Sequence, residues 1–148
     1  RIDFLNRYGV DPWGTGFCYD YNLFLNWNIP GIDGANILGI NCGLGSNSLK
    51  IKEVMREKGA INVTLYNGTQ EKRFLEDLKG VSDKVFVFTK LTEIKDKTGR
   101  VYFDYIIIDE TLENIEAKDI EQQVRKAKLQ FKELAYRISD NEWTVIEY

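Results

Sequence analysis

The chain has 148 residues, 43% of them apolar, 29% charged and 13% aromatic, with only two prolines. That composition excludes disordered, collagen-like and repeat classes and points to one compact domain able to hold its core without staples. Twenty Lys plus Arg against twenty-three Asp plus Glu give a net charge of −3 with no basic block, which argues against a nucleic-acid surface. Histidine is absent and the two cysteines, Cys18 and Cys42, lack CxxC spacing, so Cys/His zinc sites and His-based triads are excluded. No apolar run reaches the roughly 18 residues of a membrane span and no signal peptide is visible; a reducing cytoplasm is the expected compartment. The sequons at Asn62 and Asn67 therefore read as chance. A start on Arg1 and an end on the apolar run 143–146 suggest a piece of a larger polypeptide.

Residues 1–34 form an aromatic-rich lead-in, with eight of the nineteen aromatics in the first thirty positions punctuated by Gly9, Pro12, Gly14 and Gly16. Exposed aromatic clusters mark contacts, so this segment reads as cover for one sheet face or for a neighbouring domain. From residue 35 to 148 the texture changes to short apolar runs alternating with charged stretches, the signature of strand-helix units on a parallel sheet.

Residues 37–40 read as a buried strand, running into the turn Asn41-Cys42-Gly43-Leu44-Gly45 and then a helix from Ser46 to Gly59. A second strand is expected over 62–66, a helix over 69–79 closed by Gly80, and a third strand over 84–89. Residues 90–100 look like a loop. Residues 103–109, with Tyr105-Ile106-Ile107-Ile108, read as a central strand apolar on both faces. Ile120, Val124, Ala127, Phe131, Leu134 and Ile138 recur at steps of three and four, which predicts one long helix whose Lys/Glu face is solvated; residues 143–146 make a fifth strand.

Five strands with right-handed crossovers favour a Rossmann-like doubly wound sheet of order 3-2-1-4-5 with helices on both faces. Ligands of such sheets sit beyond the strand carboxyl ends at the switch point, here between strands one and four. The candidate site is therefore residues 41–46 together with 109–111. The glycine turn lets backbone approach a ligand and offers free N–H groups at a helix start. A full dinucleotide fingerprint fails, because Ser48 stands where its third glycine would be. Asp109 and Glu110, at the end of a central strand, are the candidate acid-base pair, weighed against a plain helix-capping role. Cys42 reads as a packing residue.

Residues 37–45 (ILGINCGLG) resemble the first motif of the class I S-adenosylmethionine-dependent methyltransferases, V-L-D-x-G-C-G-x-G, and residues 103–115 (FDYIIIDETLENI) resemble their F-D-x-I-x-x-x-x-x-L-E-H-I stretch. The likeness spans roughly residues 35–148. It implies that Asn41, Gly43 and Gly45 face the methionine part of S-adenosylmethionine, Asn67 the ribose, Thr89 and Lys90 the adenine, and Asp109 to Thr111 the transferred methyl. It also implies a lid from the lead-in, with Tyr19 or Tyr21 reaching in. The sequence departs from the pattern at Gly39 and Asn67, where the family carries acids, at Asn41, where it carries glycine, and at Thr89-Lys90, where an acid often follows the third strand. An amide at 67 offers one acceptor where a carboxylate accepts two charge-assisted bonds, a deficit of about 1 to 3 kcal/mol. The sheet is also expected to stop short of the family's seven strands, which would remove part of the wall around an acceptor.

Two functions follow. One is methyl transfer to a small molecule or sugar, weak or inactive in isolation. The other is a non-catalytic binding or spacer module beside neighbouring domains, as in large bacterial glycosyltransferases, some with tetratricopeptide repeats, whose embedded domains carry a lead-in similar to Tyr19-Asp20-Tyr21-Asn22.

Overall fold

The computed structural model describes residues 19–110, 112–140 and 142–148. Six strands form one sheet: β1 (Asn36–Ile40), β2 (Thr64–Thr69), β3 (Lys84–Val87), β4 (Phe103–Ile108), β5 (Phe131–Ser139) and β6 (Glu142–Glu147). Their order is β3-β2-β1-β4-β5-β6, parallel throughout except for the antiparallel β5–β6 pair. This is a Rossmann-like doubly wound α/β sheet, and β1 and β4 lie side by side at its centre. Ile37 pairs with Tyr105 and Ile40 with Ile108, so the two strands end at the same rim.

Among the described residues, five helices flank the sheet: α1 (Tyr21–Asn26), α2 (Ser46–Glu57), α3 (Leu75–Lys79), α4 (Ile94–Lys97) and α5 (Ile120–Lys126). Strand alternation sends successive side chains to opposite faces and so builds two cores. Ile37, Leu65, Tyr105 and Ile107 pack with Ile51 and Met55 of α2 and Leu23 and Trp27 of α1. Leu38, Ile40, Ile106 and Ile108 pack on the other face with Leu91, Ile94, Ile120 and Val124. The lead-in thus contributes cover from Leu23, Trp27 and Ile29; its aromatics before residue 19 lie outside the described residues.

The expected long helix is corrected. It ends at Lys126, Lys128 turns left-handed at φ 60, and residues 131–139 form β5 against β4. The three-and-four spacing continued by coincidence. Phe131, Leu134 and Tyr136 enter one core and Ala135 the other, while Ile138 is 43% exposed and belongs to no apolar stripe. Pairing with the isoleucine-rich central strand satisfies β4's outer backbone edge, which a helix could not do. Residues 143–146 accordingly belong to a sixth, antiparallel strand. Residues 90–100 carry a short 3-10 turn and α4, with Leu91 and Ile94 buried beneath them. Strand β2 runs to Thr69, three residues further than expected, so its helix starts only after a 3-10 turn at Lys72–Phe74.

Candidate functional site

The turn after β1 and the corner after β4 meet at the carboxyl rim. Asp109 N–H donates to the Ile40 carbonyl at 3.2 Å and Glu110 N–H to the Asn41 carbonyl at 3.1 Å. Asn41, Gly43 and Gly45 all take left-handed φ values, 53°, 57° and 89°. Gly45 caps α2 in that conformation, and a Cβ there would stand 2.8 Å from Val81 Cγ2. Glycine is required by both conformation and space.

Between these corners lies a cleft of about 220 Å³ lined by Asn41, Gly43, Gln70, Phe74, Glu110 and Glu113, among others. Its floor is stitched shut by amides. Gln70 N–H donates to Asn41 Oδ1 at 2.9 Å, and Asn41 Nδ2 donates back to Gln70 Oε1 at 2.8 Å. Gln70 Oε1 also accepts the Glu113 N–H at 3.0 Å, and Gln70 Nε2 donates to the Thr89 carbonyl at 2.9 Å. One glutamine therefore ties the ends of β1, β2 and β3 to the segment after β4. Gln70 carried no signal in the sequence beyond lying after a strand, and it was not singled out.

Asn67 does not line this cleft. It is wholly buried on β2, its Oδ1 accepts from Ser48 Oγ at 2.9 Å, and its Nδ2 donates to Ser82 Oγ at 2.7 Å. Its side chain occupies the space above Gly39, where a Cβ would come within 2.1 Å of Asn67 Oδ1. Thr89 and Lys90 are exposed, and their N–H groups donate to Glu93 Oε2 at 3.1 and 3.0 Å. Tyr19 stacks edge-on against Phe24 beneath Lys50, and Tyr21 is half exposed; neither lines the cleft. Thr111 lies outside the described residues.

Asp109 is buried and fully engaged. Arg137 Nη2 donates to its Oδ1 at 2.6 Å and Nε to the same oxygen at 3.1 Å, while Asn47 Nδ2 donates to its Oδ2 at 2.8 Å. Arg137 also reaches Asp20 Oδ2 at 3.2 Å, and Trp143 Nε1 donates to that oxygen at 2.8 Å. Asp20 N–H donates to Asn47 Oδ1 at 2.6 Å, and Asp20 Oδ1 caps α1. One guanidinium thus bridges two carboxylates whose side chains are each 2% exposed. Arg137 escaped the sequence reading because its segment was assigned to a helix. Glu110, by contrast, is half-buried and borders the cleft.

Cys42 is buried with its thiol 3.7 Å from the Ile40 and Ile107 carbonyls. Burial first, and the nearby Asp109 charge second, push its pKa well above the ordinary thiol range, so it is an inert packing group. No group of three or more metal-ligating side chains occurs among the described residues.

Small-molecule pockets occupy roughly 300–1,000 Å³. In this arrangement the cleft, at about 220 Å³, lies below that range, and the side chain at 67 is closed from it.

No family model matches the chain, and no curated protein matches it. Among solved structures, TrmN from Thermus thermophilus is similar at 14% identity, covering 70% of this chain and 33% of its own, with a TM-score of 0.46. AibC is similar at 15% identity, covering 70% of this chain and 35% of its own, with a TM-score of 0.42. The chain spans about a third of the length of each.

Proposed function

We propose that this chain is a methyltransferase-like Rossmann module that binds S-adenosylmethionine weakly or not at all in isolation and serves as a non-catalytic binding or spacer domain beside neighbouring domains of a larger polypeptide. The observation that carries this reading is the reciprocal amide pair of Asn41 and Gln70, which ties the ends of β1 and β2 together beside the switch point. A ligand entering there must break those two bonds and the two further bonds of Gln70, to Thr89 and Glu113. At about 1 kcal/mol each, that opposes binding by roughly 4 kcal/mol, about a thousandfold.

The reading predicts a dissociation constant for S-adenosylmethionine weaker than about 100 μM, roughly −5.5 kcal/mol. Calorimetric titration measures it, and low-micromolar binding would overturn the proposal. A bacterial glycosyltransferase context belongs to the same proposal and is tested by the reading frame upstream of Arg1.

A second reading, methyl transfer to a small molecule or sugar, is favoured by the left-handed turn at Gly43 and Gly45 meeting the corner at Glu110. It would place Glu110 at the acceptor and leave Asp109 as the residue that fixes the corner. Turnover of a small-molecule or sugar acceptor with labelled cofactor would establish it.

A further inference from the structure

A second cleft, of about 520 Å³, lies away from the switch point, between α1 and the β5–β6 hairpin. Its lining includes Asn22, Asn26, Asn28, Trp27, Trp143 and Glu133; among the described residues no lysine or arginine lines it. We propose that it binds a neutral saccharide of roughly one or two rings.

Three features converge on that chemistry. Asn22 and Asn26 stand one helical turn apart on α1, where side chains share a face, and Asn28 follows them. None of the three amide side chains has a hydrogen-bond partner among the described residues, so each offers a donor and an acceptor to vicinal hydroxyls. Both indoles are fixed in advance. Trp27 donates Nε1 to Glu133 Oε1 at 2.9 Å and meets Tyr105 edge-on at 5.4 Å. Trp143 donates to Asp20 and carries the Arg137 guanidinium 4.3 Å over its ring. The half-buried Trp143 borders the cleft and offers apolar surface for the C–H side of a sugar ring at little ordering cost, while Trp27, itself buried, anchors Glu133 behind it. Glu133 keeps Oε2 without a partner among the described residues as a further acceptor. The absence of a lining cation among the described residues disfavours phosphate-bearing ligands, and the amide-rich wall disfavours an apolar helix or strand.

The proposal does not depend on the state of the switch-point cleft. Its test is titration of the full chain with the methyl glycosides of glucose, mannose, galactose and N-acetylglucosamine, followed by the side-chain amide NMR signals of Asn22, Asn26 and Asn28 and by tryptophan fluorescence. Saturable shifts at millimolar concentration with at least one glycoside are expected. Both Asn22→Ala and Asn26→Leu change exposed positions of α1, and together they should weaken that binding at least tenfold while leaving the circular dichroism spectrum unchanged. No saturable shift with any of the four sugars, or a shift that persists at wild-type affinity in the double variant, would overturn the assignment.

Discussion

Asn67 shows how one side chain can take a place without taking a role. It stands where the family resemblance puts a ribose-binding acid, yet its amide is spent on Ser48 and Ser82 beneath the rim. Asn67→Asp would replace a fully paired amide by a buried carboxylate that can no longer donate to Ser82. The expected result is a loss of about 1 to 3 kcal/mol, read as a lower urea midpoint at unchanged slope, with no gain in affinity for S-adenosylmethionine. A tighter complex would show that position 67 faces a ligand after all. Position, but not direction, was legible here: strand periodicity located Asn67 near a strand end, whereas its inward course depends on a missing Cβ at Gly39 across the sheet.

Elements are held to one another by the Arg137 cluster, which joins α1, the start of α2, the end of β4 and the β5–β6 hairpin. Removing the arginine leaves two buried aspartates without their cation, so Arg137→Met should cost about 3 to 5 kcal/mol in denaturant titration. Asp20→Ala is more local. It removes the α1 cap and the Trp143 bond, so hydrogen exchange should accelerate at residues 21–26 while β1 and β4 keep their protection. Uniform loss of protection would mean that α1 belongs to the same cooperative unit as the sheet. The inner strands of this arrangement were readable from composition, because Ile37 to Ile40 and Tyr105 to Ile108 are apolar without interruption. The β5–β6 hairpin was not. Phe131, Leu134 and Ile138 satisfy helical spacing better than the period of two of a strand, and only pairing with β4 overrides that local signal. The available local signal was the Asp-Asn dipeptide at 140–141, which favours a turn between two short strands. With the hairpin misread, Arg137 and its two aspartates could not be assembled.

The whole molecule should be less stable in alkali than near neutrality. Burial pushes Tyr105 up to about 12, with the Glu133 charge adding to it, and burial likewise raises Cys42 well above 9.0. For groups whose folded pKa exceeds the unfolded one, the contribution is intact below the unfolded value and disappears as pH climbs through the folded value. Thermal midpoints should therefore fall progressively from about pH 9 upward, and Tyr105→Phe together with Cys42→Ala should flatten that slope. The same decline in the double variant would assign it elsewhere.

The contact between Gly39 and Asn67 also dictates an order of events. Because a Cβ at 39 would stand 2.1 Å from Oδ1 of residue 67 and 2.8 Å from Ser48 Cβ, an acid at that position needs both neighbours to give way. Position 67 has to shrink and Ser48 has to shift, and an intermediate shortened at 67 forfeits both serine partners. A mutational path from this chain to an acid at position 39 therefore runs downhill in stability before it can climb, and directed evolution toward methyl transfer by that route would begin from a separately stabilised background.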